Sequence, residues 1–215
     1  MNIAFQNTKR ETIVTSLFAL ACLFLYILFP TTTVFQQIVS LVAFLLIIPM
    51  IYIKIVLKKP LKFFGLGKGD AKAGIISGLI ALFFLFALFY LAMKYTQLIS
   101  GYKLPVSVAG NFWIFLGYEV LIIGSFSFLY EFFFRGFFLF TLERSWGGWS
   151  VAIQYLFFLG MLLTAGVTNW ESWRYVLAGL AGGVVAYRSS SCVYSFVTTF
   201  IYMVATDAII IGLSR

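Results

Sequence analysis

Apolar runs about as long as a bilayer is thick recur along this chain, and they leave few folds open. A hydrocarbon core of about 30 Å takes roughly 20 helical residues. Inside it every backbone polar group must be satisfied within the protein, so such runs are read as helices. Seven are predicted: about 13 to 29, 34 to 56, 73 to 95, 110 to 142, 150 to 166, 172 to 187 and 191 to 213. With 62% hydrophobic residues, 26 Phe and only 10% charged residues, 215 positions hold little besides those runs. The expected fold is all-α, a polytopic transmembrane helical bundle. Residues 1–60 form an N-terminal transmembrane hairpin and 61–215 a helical core, together one integral membrane unit. Ile13 to Phe29 is long enough to span, and no small-residue cleavage site follows it, so it reads as a span rather than a signal peptide. The fourth run would be about 50 Å long as one helix, so it must tilt, protrude or break near Gly124-Ser125. A protruding helix is the expectation.

Basic residues set the orientation. Lys9 and Arg10 precede the first run, and Lys54, Lys58, Lys59, Lys62, Lys68 and Lys72 crowd the connection after the second. This predicts a cytoplasmic N-terminus and, with seven spans, a C-terminus outside; Arg144 and Arg188 fall on cytoplasmic connections, whereas Lys94, Lys103 and Arg174 sit on the other side. The net charge of +8 belongs mostly to those loops, where it meets anionic lipid, and no nucleic-acid module accompanies it. Cys22 and Cys192 lie in or at apolar runs and read as buried thiols. Without a single His, a Cys/His metal site is excluded, and neither metal nor cofactor is expected.

Charge inside the apolar runs is sparse and therefore informative. An ionised side chain in hydrocarbon costs about 2.5 to 3.5 kcal/mol on insertion scales. Glu131 and Arg135, four residues apart, can neutralise each other on one helix face. Glu119 lies twelve residues earlier, about 120° around and about 18 Å away on a straight helix, too far for an acid/base pair with Glu131. Asp207 needs a cationic or hydrogen-bonding partner if it is deep, and Arg135 is the natural candidate. The sixth run places Ala178/Gly182 and Gly179/Gly183 at i,i+4, a pattern for close helix packing within the monomer or for self-association through Gly179/Gly183. Between the second and third runs, Lys58 to Asp70 interleaves Lys with Phe63 and Phe64 and reads as an interfacial segment.

The order Glu131-x3-Arg135-Gly136, then Leu142-Glu143-Arg144 before a Gly/Trp turn, a Gly-rich helix and a Ser-started last helix resembles the CPBP family of intramembrane proteases, the CAAX-protease and bacteriocin-processing (Abi-type) enzymes. The step Phe64-Gly65-Leu66-Gly67 is also similar, and the resemblance spans about residues 60 to 210. In that family an EExxxR motif supplies a water-activating Glu, an FxxxH motif a His, and the last core helix a His with an Asn or Asp four residues later. On this chain the resemblance puts Tyr130 at the first Glu and keeps Glu131 and Arg135. It puts Phe158 to Leu162 at the second motif, with Phe157 to Met161 one residue away, and Thr199 and Met203 at the third, or Met203 and Asp207 after a shift of four. Tyr is a poor base at neutral pH, and Leu and Met neither take protons nor hold an oxyanion. The resemblance thus implies a CPBP-like core without its chemistry: an inactive relative that binds or scaffolds a membrane partner, a transmembrane helix or a lipidated peptide. Two other readings stay open, a peptidase using Glu131 with Asp207 as paired carboxylates and a small transport or lipid-handling protein using Glu119, Glu131 and Asp207.

Overall fold

The structure is a computed structural model describing residues 2–95, 104–164 and 173–213. Tyr102 and Lys103, the loop run 168–172 and Arg215 fall outside these. Among the described residues the chain is helical throughout, with no strand. The principal helices are α1 (Asn2–Leu28), α2 (Val34–Leu57), α3 (Ala71–Tyr95), α4 (Phe112–Trp146), α5 (Trp149–Thr164), α6 (Trp173–Ser189) and α7 (Cys192–Leu213). Five of them, α1 from Lys9 onward, α2, α3, α4 and α7, are long and apolar enough to cross a membrane. Their outward faces carry exposed Leu, Ile and Phe, including Leu17, Phe24, Leu79, Phe83 and Leu121. In water such a surface would aggregate, whereas in a bilayer it is the solvated face. The chain thus has the character of a multi-pass helical membrane protein in contact with lipid. α5 and α6 are shorter, at 16 and 17 residues.

α4 does not break. It runs for 35 residues through Gly124-Ser125, where Gly124 lets the Phe200 ring of α7 lie close. Its first half presents Phe112, Trp113, Val120 and Leu121 outward, while every residue from Glu131 to Leu142 is buried. A helix buried on all sides must be apolar all round or have its polar groups paired, and this stretch does both. Phe137 stacks edge-on or tilted against Phe18 of α1, Tyr52 of α2 and Phe64, while Phe134 meets Phe158 of α5. The N-terminal hairpin therefore shares one core with the rest of the bundle rather than flanking it.

Two wide π-helical turns in α4, Glu119–Ile123 and Glu131–Phe138, explain how it turns its face. In the first, the Gly124 N–H donates to the Glu119 carbonyl five residues back. The extra residue absorbs about 100° of rotation, so the 120° offset expected between Glu119 and Glu131 shrinks to roughly 20°. Both carboxylates consequently face α7. That revises the straight-helix expectation, although the two remain a dozen residues apart along the axis.

The segment between α2 and α3 is drawn against the opposite turn. A short helical turn, Leu61–Phe64, buries Phe64 and leaves Phe63 exposed, so only one of the two rings points inward. Gly65 then takes a left-handed conformation (φ 77°) directly against the Phe140 ring, where a Cβ would overlap it. Its carbonyl accepts from the Cys192 N–H (3.0 Å), and the Ser191 hydroxyl donates to the Gly67 carbonyl (2.6 Å). Lys59 and Arg144 both pair with Glu11, so the basic connections and the N-terminal helix meet at one end of the bundle. Cys22 and Cys192 are both buried thiols.

Candidate functional site

Glu131 and Arg135 are 1% and 5% exposed, and each is fixed by more than the other. The pair is direct, Arg135 Nη1 to Glu131 Oε1. The Ser195 hydroxyl donates to Glu131 Oε2 (2.5 Å) and the Thr199 hydroxyl to Oε1 (2.8 Å). Ser195 and Thr199 are one turn apart on α7, so a single helix face delivers both donors. Arg135 Nη2 reaches across to α6 and donates to the carbonyls of Ala178 (3.3 Å) and Gly179 (3.2 Å). Its guanidinium also lies 5.8 Å from the centre of the Phe158 ring, within cation–π range.

Glycine makes this reach feasible. A Cβ at Gly182 would stand 2.7 Å from Arg135 Cζ and 2.8 Å from Ser195 Oγ, so only glycine admits the guanidinium between α6 and α7. Gly179 lies against Phe158 and Tyr155, and Gly183 against Gln154 and Val151. Of the two readings of Gly179/Gly183, close packing within the monomer is the one seen: α5 of the same chain covers that face.

A cavity of about 270 Å³ opens beside the pair. Tyr130, Glu131, Arg135, Phe158, Leu162, Thr199 and Met203 all line it, with Ser127, Tyr175 and Ala178 among its other walls. Thus Glu131, Arg135 and Phe158, and the four positions Tyr130, Leu162, Thr199 and Met203 at which the resemblance would place other residues, scattered over 74 residues of sequence from Tyr130 to Met203, meet in one place. Phe157, the neighbouring alternative for the second motif, instead packs on Phe138, so Phe158 is the residue facing the cavity.

Asp207 lies elsewhere. It accepts from Arg174 Nη1 (2.6 Å), which also donates to the Thr206 hydroxyl (2.9 Å), and both charged residues are nearly inaccessible at 1% and 2%. Arg135 is therefore not the partner of Asp207, and Arg174 does not sit in an outer loop; it opens α6 facing inward. Asp207 follows Thr199 by two turns, about 12 Å of rise. Glu119 approaches Asp207 from α4, fully buried, with its carboxyl set against the Asp207 carboxyl. α7 therefore carries two polar clusters, Glu131/Arg135/Ser195/Thr199 and Glu119/Arg174/Thr206/Asp207.

Ser195 and Arg174 are the functional-site residues that motif spacing passed over. Ser195 was legible only as a hydroxyl one turn before Thr199. Arg174 was hidden by the polar, Trp-rich run that precedes it.

Set against protein-family models, curated proteins and solved structures, the chain matches none. What the cavity can do chemically must be argued from its own groups. Both oxygens of Glu131 already accept hydrogen bonds from three side chains, which leaves little capacity to bind and deprotonate a water. The other polar lining groups are the Tyr130 and Tyr175 phenols and the Ser127 and Thr199 hydroxyls; the remainder is apolar.

Proposed function

We propose that this chain is a non-hydrolytic membrane protein with a CPBP-like core, whose cavity beside Glu131 and Arg135 holds an apolar segment of a membrane partner, a transmembrane helix or a lipidated peptide. The observation that carries this reading is the lining of that cavity. The positions at which the resemblance expects a catalytic Glu, two His and an Asn are Tyr130, Leu162, Thr199 and Met203, and all four surround Glu131. Glu131 itself is held by Arg135, Ser195 and Thr199 as a structural anion. Mostly apolar walls with a few fixed polar groups suit binding of an apolar chain. A Glu131/Asp207 peptidase draws no support from the geometry, since Asp207 is bound to Arg174 two turns along α7.

The test uses purified full-length protein and a farnesylated peptide carrying a photo-crosslinker. Crosslinks to the cavity wall are expected, reduced at least tenfold by Ala178→Phe, which fills the cavity, with no peptide cleavage in wild type. Cleavage by wild type that disappears in Glu131→Ala would falsify the reading.

The same proposal includes seven spans with a cytoplasmic N-terminus and an external C-terminus. Its support is the gathering of basic connections at the end where Glu11 meets Lys59 and Arg144. Single cysteines introduced in a Cys22→Ser/Cys192→Ser background should react with an impermeant maleimide at Ser214 but not at Lys68 in intact cells. The opposite labelling pattern reverses the orientation.

A further inference from the structure

A second and larger hollow, about 670 Å³, lies on the outside of the bundle between α3 and α6. Its origin is in the packing of both helices on α7. Gly74 and Gly78 bring α3 so close to α7 that a Cβ at either would strike Tyr194 or the Thr198 hydroxyl, and Gly182 does the same for α6 at Ser195. The trough lies between the outer side chains of these two helices. Ala73, Ser77 and Ala81 of α3 and Ala181 of α6 form part of its lining as small side chains. Ile80, Phe84 and Leu88 stand along α3, and Leu177, Leu180 and Val184 along α6.

The trough is apolar along most of its length and charged at one end only. There Lys72 of α3 and Arg188 of α6 line it; both are exposed, and neither forms an ion pair among the described residues. Asp70 is also at that end, but its carboxylate caps α3 by accepting from the Ala73 N–H (2.9 Å), while its own N–H is bonded to the Ser189 carbonyl (2.7 Å). From Lys72 to Leu88 the trough follows sixteen residues of helix, about 24 Å of rise, so it begins at the basic end and runs past the middle of a core about 30 Å thick.

We propose that this trough is a binding site for a membrane phospholipid with an anionic headgroup. One acyl chain lies along the apolar walls, and the phosphate meets Lys72 and Arg188. Charge complementarity selects the occupant. A basic pair at the head of an apolar trough open to lipid fits an anionic amphiphile, and a zwitterionic lipid gains less from it. The site is separate from the Glu131 cavity and shares none of its lining, so it does not rest on the function proposed for that cavity.

Native mass spectrometry of the detergent-purified full-length protein, titrated with phosphatidylglycerol and with phosphatidylcholine of the same acyl chains, tests the assignment. Each basic residue near a membrane surface strengthens binding of anionic lipid roughly fivefold. With Asp70 nearby opposing part of this, wild type should prefer phosphatidylglycerol by about tenfold. Lys72→Gln/Arg188→Gln alters only exposed side chains and should bring the two lipids to within about twofold. Ala81→Phe, which fills the trough from α3, should weaken both lipids several-fold while the circular dichroism spectrum is unchanged. Equal affinity of wild type for the two lipids overturns the proposal, and so does a preference that survives in the double glutamine variant. A farnesylated peptide that displaces phosphatidylglycerol from wild type and binds the double variant equally well also overturns it, by assigning the trough to a lipidated chain.

Discussion

Arg174→Leu is expected to cost about 3 to 5 kcal/mol of folded stability, the range for removing one partner of a buried ion pair. The reason is what the substitution leaves behind. Asp207 loses its cation, Thr206 loses a donor, and the buried Glu119 carboxyl stays set against Asp207. Two buried carboxyl groups would then face each other between α4 and α7 with no guanidinium between them. Thermal or steric-trap unfolding of the protein in bicelles reads this directly. Adding Asp207→Asn to the leucine variant should recover at least half of the loss, because it removes the stranded charge while keeping the shape. A leucine variant that unfolds at the wild-type midpoint would mean that the pair contributes nothing to joining α6 and α7.

Arg135→Leu should be of similar size but differ in its pattern. Glu131 keeps Ser195 and Thr199, so its carboxylate is not wholly abandoned, while the carbonyls of Ala178 and Gly179 lose their extra donor. A loss of about 3 to 5 kcal/mol is expected from the buried charge alone. Glu131→Gln removes the opposite partner and strands the guanidinium beside Gly182. The double variant should be less damaged than the two single losses added, with an interaction energy of about 0.5 to 3 kcal/mol in the double-mutant cycle. Strict additivity would show that the two side chains are adjacent without being coupled.

Hydropathy placed the helices well because the bilayer imposes one length on every span. The second run was read as 34 to 56 and α2 is Val34–Leu57; the third was read as 73 to 95 and α3 is Ala71–Tyr95. What hydropathy could not carry was the phase of α4. Its two π turns, one in Glu-Val-Leu-Ile-Ile and one in a run rich in Phe, carry no residue pattern that marks an inserted residue. A regular 100° step consequently sent Glu119 to the wrong face. Asp207 was also given to Arg135, the cation well inside a predicted run, although α6 brings Arg174 to it across 33 positions. The residues of the cavity were legible because the resemblance supplied them in order. Ser195 was not among them, and it became visible only once α7 was seen to present two hydroxyls to one carboxylate.

The complete enclosure of Glu131 to Leu142 has a consequence for biogenesis. A ribosome makes this stretch before α5, α6 and α7 exist, and Ser195 follows Glu131 by 64 residues. At about 5 to 20 residues per second, roughly 3 to 13 s pass before that hydroxyl can reach the carboxylate. During that interval the segment meets the insertion machinery or lipid with its charges unsupported by the later helices. The i,i+4 placement of Arg135 lets α4 neutralise itself as soon as its own turn forms, so the pair stabilises the nascent helix before it stabilises the finished bundle.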